Sequence, residues 1–128
     1  MRRKDHGFLN VDLEVGAASR AQLASLLDAL EGTLIELFRG RLRGLYRAHF
    51  ESGARTSDGS TTIRALVATI DALKRPARRA WASATVRDFN VGIEVARGVR
   101  SVELAIDADV VRRVAAVGGR IAFTAYRR

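Results

Sequence analysis

At 128 residues, 48% of them hydrophobic and 28% charged, the chain is long enough to bury a core and too apolar to be disordered. It contains no cysteine, which excludes disulfides, thiolate zinc sites and cysteine nucleophiles. The net charge is +8, and 20 of the 22 basic residues are arginine, a skew that GC-rich coding explains better than nucleic-acid binding does.

No apolar run approaches the roughly 20 residues that span a bilayer. The opening Met1-Arg2-Arg3-Lys4-Asp5-His6-Gly7 is basic but is not followed by the apolar stretch of a signal peptide. The expectation is one cytoplasmic domain over 1–128, with 1–7 a disordered basic N-terminus and no membrane partner.

Leu9, Val11, Leu13 and Val15 alternate with Asn10, Asp12 and Glu14, the period-2 signature of a half-buried strand. Ser19 and Gln22 form a capping box ahead of a helix with Leu23, Leu26, Leu27 and Leu30 on one stripe. Gly32 is placed to end that helix in the left-handed conformation. For 33–51 a helix and a hairpin compete. Gly40 and Gly44 would each cost a helix about 1 kcal/mol, which favours a hairpin turning near Gly40 and returning from Leu45.

Residues 52–60 read as a polar loop. A helix capped by Ser60 or Thr61 follows, burying Ile63, Leu66, Val67, Ile70 and Leu73 and closing at Pro76. A short turn around Trp81 is expected over 76–83. Phe89, Val91, Ile93 and Val95 then alternate as a strand, and Val102, Leu104 and Ile106 read as its hairpin partner. Asp107 caps a helix carrying Val110, Val111, Val114 and Val117, ended by Gly118-Gly119. Ile121, Phe123 and Ala125 form one side of a last strand, with Thr124 and Tyr126 on the other. The expected fold is α+β: a mixed, mainly antiparallel sheet with helices on one face, in the order βαββ-α-ββαβ.

The segments Phe8-Leu9-Asn10-Val11-Asp12-Leu13-Glu14, Trp81 through Asp88-Phe89-Asn90-Val91-Gly92-Ile93, and Val117-Gly118-Gly119-Arg120-Ile121-Ala122-Phe123-Thr124-Ala125-Tyr126 resemble a family of small bacterial αβ domains of unknown function. The resemblance implies a compact αβ fold of bacterial origin and carries no catalytic residues to this chain.

No constellation announces chemistry. His6 and His49 lie far apart with no second ligand at helical or strand spacing, so neither metal nor cofactor is expected. Asp12, Glu14, Asp88 and Glu94 sit at the polar positions of strands. If those strands are neighbours, two carboxylates could share a site and raise one pKa; solvated polar faces are the plainer reading.

Two basic clusters are candidates for nucleic acid: Arg39, Arg41, Arg43 and Arg47 on the hairpin, and Lys74, Arg75, Arg78 and Arg79 around Pro76. Alternation suggests that Arg41, Arg43 and Arg47 share a face with His49 and that Tyr46 points the other way. No aromatic platform for single strands accompanies them, and edge-strand arginines that blunt aggregation are the plainer reading. Trp81, Tyr126 and His49 are candidate interface or pocket residues. The expectation leans against an enzyme and towards a binding or interaction module, with itself or another protein as partner. Nucleic-acid binding ranks second, and a small Asp/Glu enzyme third.

Overall fold

The computed structural model describes residues 7–53 and 58–127. Phe8–Ala17 forms β1 and Arg20–Glu31 α1; Ile35–Leu42 and Leu45–Glu51 form β2 and β3. Gly59–Asp71 forms α2, Ala77–Ser83 α3, Val86–Val95 β4, Ala108–Ala116 α4 and Arg120–Arg127 β5. The five strands make one mixed sheet in the order β2-β3-β1-β4-β5, antiparallel throughout except for the parallel β4·β5 pair. The fold is α+β, with all four helices against one face.

β1 is the central strand. Its Val11, Leu13 and Val15 are fully buried under the helices, beside Ala48 and Phe50 of β3 and Phe89 and Val91 of β4. Each of these valines, leucines and phenylalanines stabilises the fold by about 1.5–3 kcal/mol relative to exposure. The helices supply the other half of the core: Leu23, Leu26, Leu27 and Leu30 from α1, Ile63, Leu66 and Val67 from α2, and Val110 and Val114 from α4. The register shifts between Phe8 and Asn10, so Phe8 turns inward and Leu9, expected on the inner face, is 45% exposed.

The Ser19–Gln22 capping box forms as expected. Gly32 does not take the left-handed conformation; its φ is −75°, and the N–H groups of Thr33 and Leu34 close the helix by bonding Leu30 O. The 33–51 hairpin forms, but it turns at Arg43-Gly44. Both residues have positive φ (53° and 81°), and Leu42 faces Leu45 across a two-residue loop whose twist suits a hairpin. α2 is capped by Asp58 rather than by Ser60 or Thr61. The Asp58 carboxylate accepts from Thr61 N (2.9 Å) and from Thr61 Oγ1 (2.7 Å).

The turn expected over 76–83 is the helix α3, held by Trp81. Its indole is buried against Phe89, ring to edge, and donates to Val117 O at 2.8 Å. Residues 101–106 are not the expected hairpin partner of β4, because both edges of β4 are already paired, with β1 and β5. Their alternation survives: Val102, Leu104 and Ile106 are half-buried between exposed neighbours. This extended strap passes over the start of β1 and of α2, placing Val102 near Gly7 and Ile106 near Gly59. Asp107 N bonds Ser60 Oγ (2.9 Å), and Arg64 reaches Asp107 and Asp109, so α2 and α4 are tied at their starts. Of the expected disordered N-terminus only Gly7 lies within the described residues, and its carbonyl accepts from Glu94 N. Residues 54–57 of the expected 52–60 loop likewise lie outside them, and Gly59 and Ser60 belong to α2 instead.

Two substitutions test this packing. Asp58→Ala removes the α2 cap and is expected to cost about 1–2 kcal/mol. Gly119→Ala places a methyl 2.6 Å from Phe89 Cε2 and 3.2 Å from Val114 Cγ1, and overpacking of that kind costs about 1–3 kcal/mol. Urea midpoints that fall with an unchanged slope of unfolding free energy against urea confirm both; an unmoved midpoint contradicts the contact concerned.

Candidate binding surface

The sheet has a second face with no helix against it. Because side chains alternate along a strand, the residues between the core positions of β1, β3 and β4 all emerge there. One row crosses all five strands: Phe38, His49, Glu14, Asp88 and Arg120 stand directly opposite one another in turn. A neighbouring row brings Asp12 opposite Asn90, and Asn90 opposite Ala122. Arg47 lies in a third row between Gly40 and Gly16, with its Cγ 3.3 Å from where a Gly16 Cβ would stand. The missing side chains leave the arginine room to lie across the sheet.

Amides hold these carboxylates in place. Asn10 Nδ2 donates to Asp12 Oδ1 (3.2 Å) and Glu51 Oε2 (3.1 Å), while Asn90 Nδ2 donates to Glu14 Oε2 (3.0 Å). Thr124 Oγ1 donates to Asn90 Oδ1 (2.9 Å), which fixes that amide's orientation. Asp88, nearly buried, is engaged by both Arg120 Nε (3.0 Å) and Nη2 (2.8 Å). That pairing keeps the Arg120 guanidinium protonated beyond its ordinary range. Among the described residues Asp12, Glu14 and Glu51 have no such arginine fork.

Burial raises the Asp12 carboxyl above 3.8, helped by the charges of Glu14 and Glu51; His49 and the Asn10 amide pull the other way. The His49 ring lies 5.2 Å from Phe38, and its Nε2 is buried with no hydrogen-bond partner, as is Arg47 Nε. The surface is therefore acidic at its centre, although the chain carries +8. Among the described residues no group of three or more His, Asp or Glu side chains is placed to hold a metal ion.

The expected arginine face does not assemble. With 42 opposite 45 across the two-residue turn, odd-numbered residues of β2 between the turn and the bulge share a face with even-numbered residues of β3. Arg39 and Arg41 thus lie on the helix side opposite Ala48 and Tyr46, Arg43 sits in the turn, and Arg47 and His49 alone occupy the open side. Arg39 is ion-paired with Glu31 and Glu36, and Arg41 donates to Ala18 O and Gly44 O.

In the second cluster Arg78 donates to Leu73 O and Asp71 O, closing the end of α2. Arg79 is exposed, and Lys74 and Arg75 rim a groove of about 370 Å³ against Ala29 and Thr33 of the α1 end. Trp81 is a core anchor that also lines a shallow groove of about 320 Å³ with Ile70 and Val117. Tyr126 is 53% exposed, opposite Glu94 at the far end of the open face.

Sequence reasoning placed Asp12, Glu14 and Asp88 at polar strand positions but missed their partners Asn10, Glu51, Asn90 and Arg120. Their signal was the same alternation; which strands adjoin was the lacking information. No helix among the described residues is long and apolar enough to cross a membrane. Comparisons with protein-family models, curated proteins and solved structures returned no match.

Asp12 gives this surface a pH signature. Its folded-state pKa lies above the unfolded value of 3.8, so its contribution is fully present below 3.8 and is lost as pH rises through the folded pKa. Asp12→Asn, which does not ionise, should therefore gain stability relative to wild type as pH rises above 3.8, and then hold a constant difference. Urea unfolding of both proteins from about pH 3.5 to about pH 7 reads this directly. A difference independent of pH contradicts the burial of Asp12 beside Glu14 and Glu51.

Proposed function

We propose that this chain is a non-enzymatic interaction module whose binding surface is the helix-free sheet face, and that it takes a cationic segment of a protein partner. The observation that carries the reading is the cluster of half-buried carboxylates, Asp12, Glu14 and Glu51, on an uncovered sheet, fixed by amides and without an arginine fork. Helices and core packing account for the other face, but nothing in the fold requires Asp12, Glu14 and Glu51 to crowd together. Burial first and the charges of Glu14 and Glu51 second disfavour the ionised Asp12, a cost that a guanidinium or ammonium group would relieve.

The chain's net positive charge does not defeat this. At physiological ionic strength the Debye length is about 8 Å, so a bound cation responds mainly to the charges beside it. The hairpin arginines support a nucleic-acid reading less well, since Arg39 and Arg41 are turned to the helix side and engaged there. The Asp/Glu enzyme reading finds Asp88 in a groove of about 380 Å³, but locked in a two-point bond to Arg120.

Titration calorimetry with a short arginine-rich peptide, a glutamate-rich control and duplex DNA tests the proposal. The cationic peptide should bind, weaken as salt rises, and lose about tenfold or more in affinity with Glu14→Gln plus Glu51→Gln. Equal affinity for the double variant, or binding of DNA alone, rejects it.

A further inference from the structure

β2 is an edge strand, and four of the nine exposed large hydrophobics among the described residues lie on it. Ile35, Leu37, Phe38 and Leu42 are 49%, 47%, 37% and 40% exposed. Alternate N–H and C=O groups on its outer side face solvent, a template for another strand. We infer that β2 pairs antiparallel with β2 of a second copy about a two-fold axis at Arg39.

The strand is complementary to itself in that register, and its bulge is the reason. Leu37 is an extra residue between Glu36 and Phe38. With Leu37 set aside and Arg39 on the axis, Ile35 meets Leu42 of the second copy, Glu36 meets Arg41, and Phe38 meets Gly40; each contact occurs twice, as a two-fold interface requires.

The faces agree as well. Ile35 and Leu42 stand opposite Glu51 and Leu45 on the open side, whereas Glu36 and Arg41 stand opposite Phe50 and Tyr46 on the helix side. Without the bulge, Phe38 would meet Arg39 from the opposite face. Two apolar pairs, two opposite-charge pairs and two aromatic rings over glycines are cross-strand contacts that stabilise sheets. The one like-charge contact, Arg39 with its symmetry mate, is neutralised in advance, because each Arg39 is already bound to Glu31 and to Glu36 Oε1 of its own chain, and Glu36 Oε2 remains to face Arg41 of the second copy.

The opposite edge offers no such match. Antiparallel self-pairing of β5 over its full length puts Arg120 against Arg127. A sheet joined through β2 has ten strands, with both open faces on one side. The inference does not rest on the cationic-partner reading, and its failure would leave the peptide titration intact.

Light scattering on size-exclusion eluates over a wide concentration range is the first test, with a dimer expected. Glu36→Arg and Arg41→Glu should each give a monomer at concentrations where wild type is dimeric, because each sets like charges face to face. Combining both in one chain should restore the dimer, and mixing the two single variants should give a mixed dimer, since each supplies the charge the other lacks. Circular dichroism confirms that every variant is folded. A wild type that stays monomeric throughout, or a dimer indifferent to both single changes, overturns the inference; single changes that disrupt the dimer without rescue by the combination overturn this register.

Discussion

The alternation of side chains along β1 is the constraint on which the structure depends. This strand is paired with β4 from Phe8 to Gly16 and with β3 from Leu13 to Ala17, so its register is fixed and each of its faces has a single destiny. Val11, Leu13 and Val15 go beneath α1 and α2, and Asn10, Asp12 and Glu14 go to the uncovered side. A one-residue slip would exchange the two sets, burying carboxylates at a cost of several kcal/mol apiece and exposing the core. Core and candidate surface are thus opposite sides of one strand.

The helices complete the asymmetry. α1 brings a leucine stripe, α2 is set by Asp58 at one end and closed by Arg78 at the other, and α3 is pinned through the Trp81 indole to the end of α4. Arg87 gathers the same corner by donating to Gly118 O, Ala82 O and Trp81 O. Several basic side chains that make the chain look like a polyanion binder are thus structural: they close helix ends whose last carbonyls lack partners. The acidic centre of the open face stands apart from that pattern, and no helix terminus or loop carbonyl accounts for it.

The places where reading the residues alone went astray share a cause. For 102–106 the alternation was real, and half-buried Val102, Leu104 and Ile106 bear it out, but alternation shows which side chains turn inward, not whether a partner strand is free. The hairpin arginines were set on the wrong side because the turn lay at Arg43-Gly44, and a shift of turn position changes which residues of two strands share a face. Leu9 failed for a third local reason, a bulge that no composition signal marks.

By itself the sequence determined the class of fold, the amphipathic segments and most of the core. Periodicity and caps are local, and residues such as the leucines of α1 have no other place to go. Tertiary structure alone decided which strands are neighbours: that β4 lies between β1 and a parallel β5, and that β2 is left at an edge. Neighbour choice depends on contacts between residues far apart in the chain, where pairing one edge removes it from every competitor. That is why Asp12, Glu14 and Glu51 could be read as polar strand positions, but only the assembled sheet could bring them together.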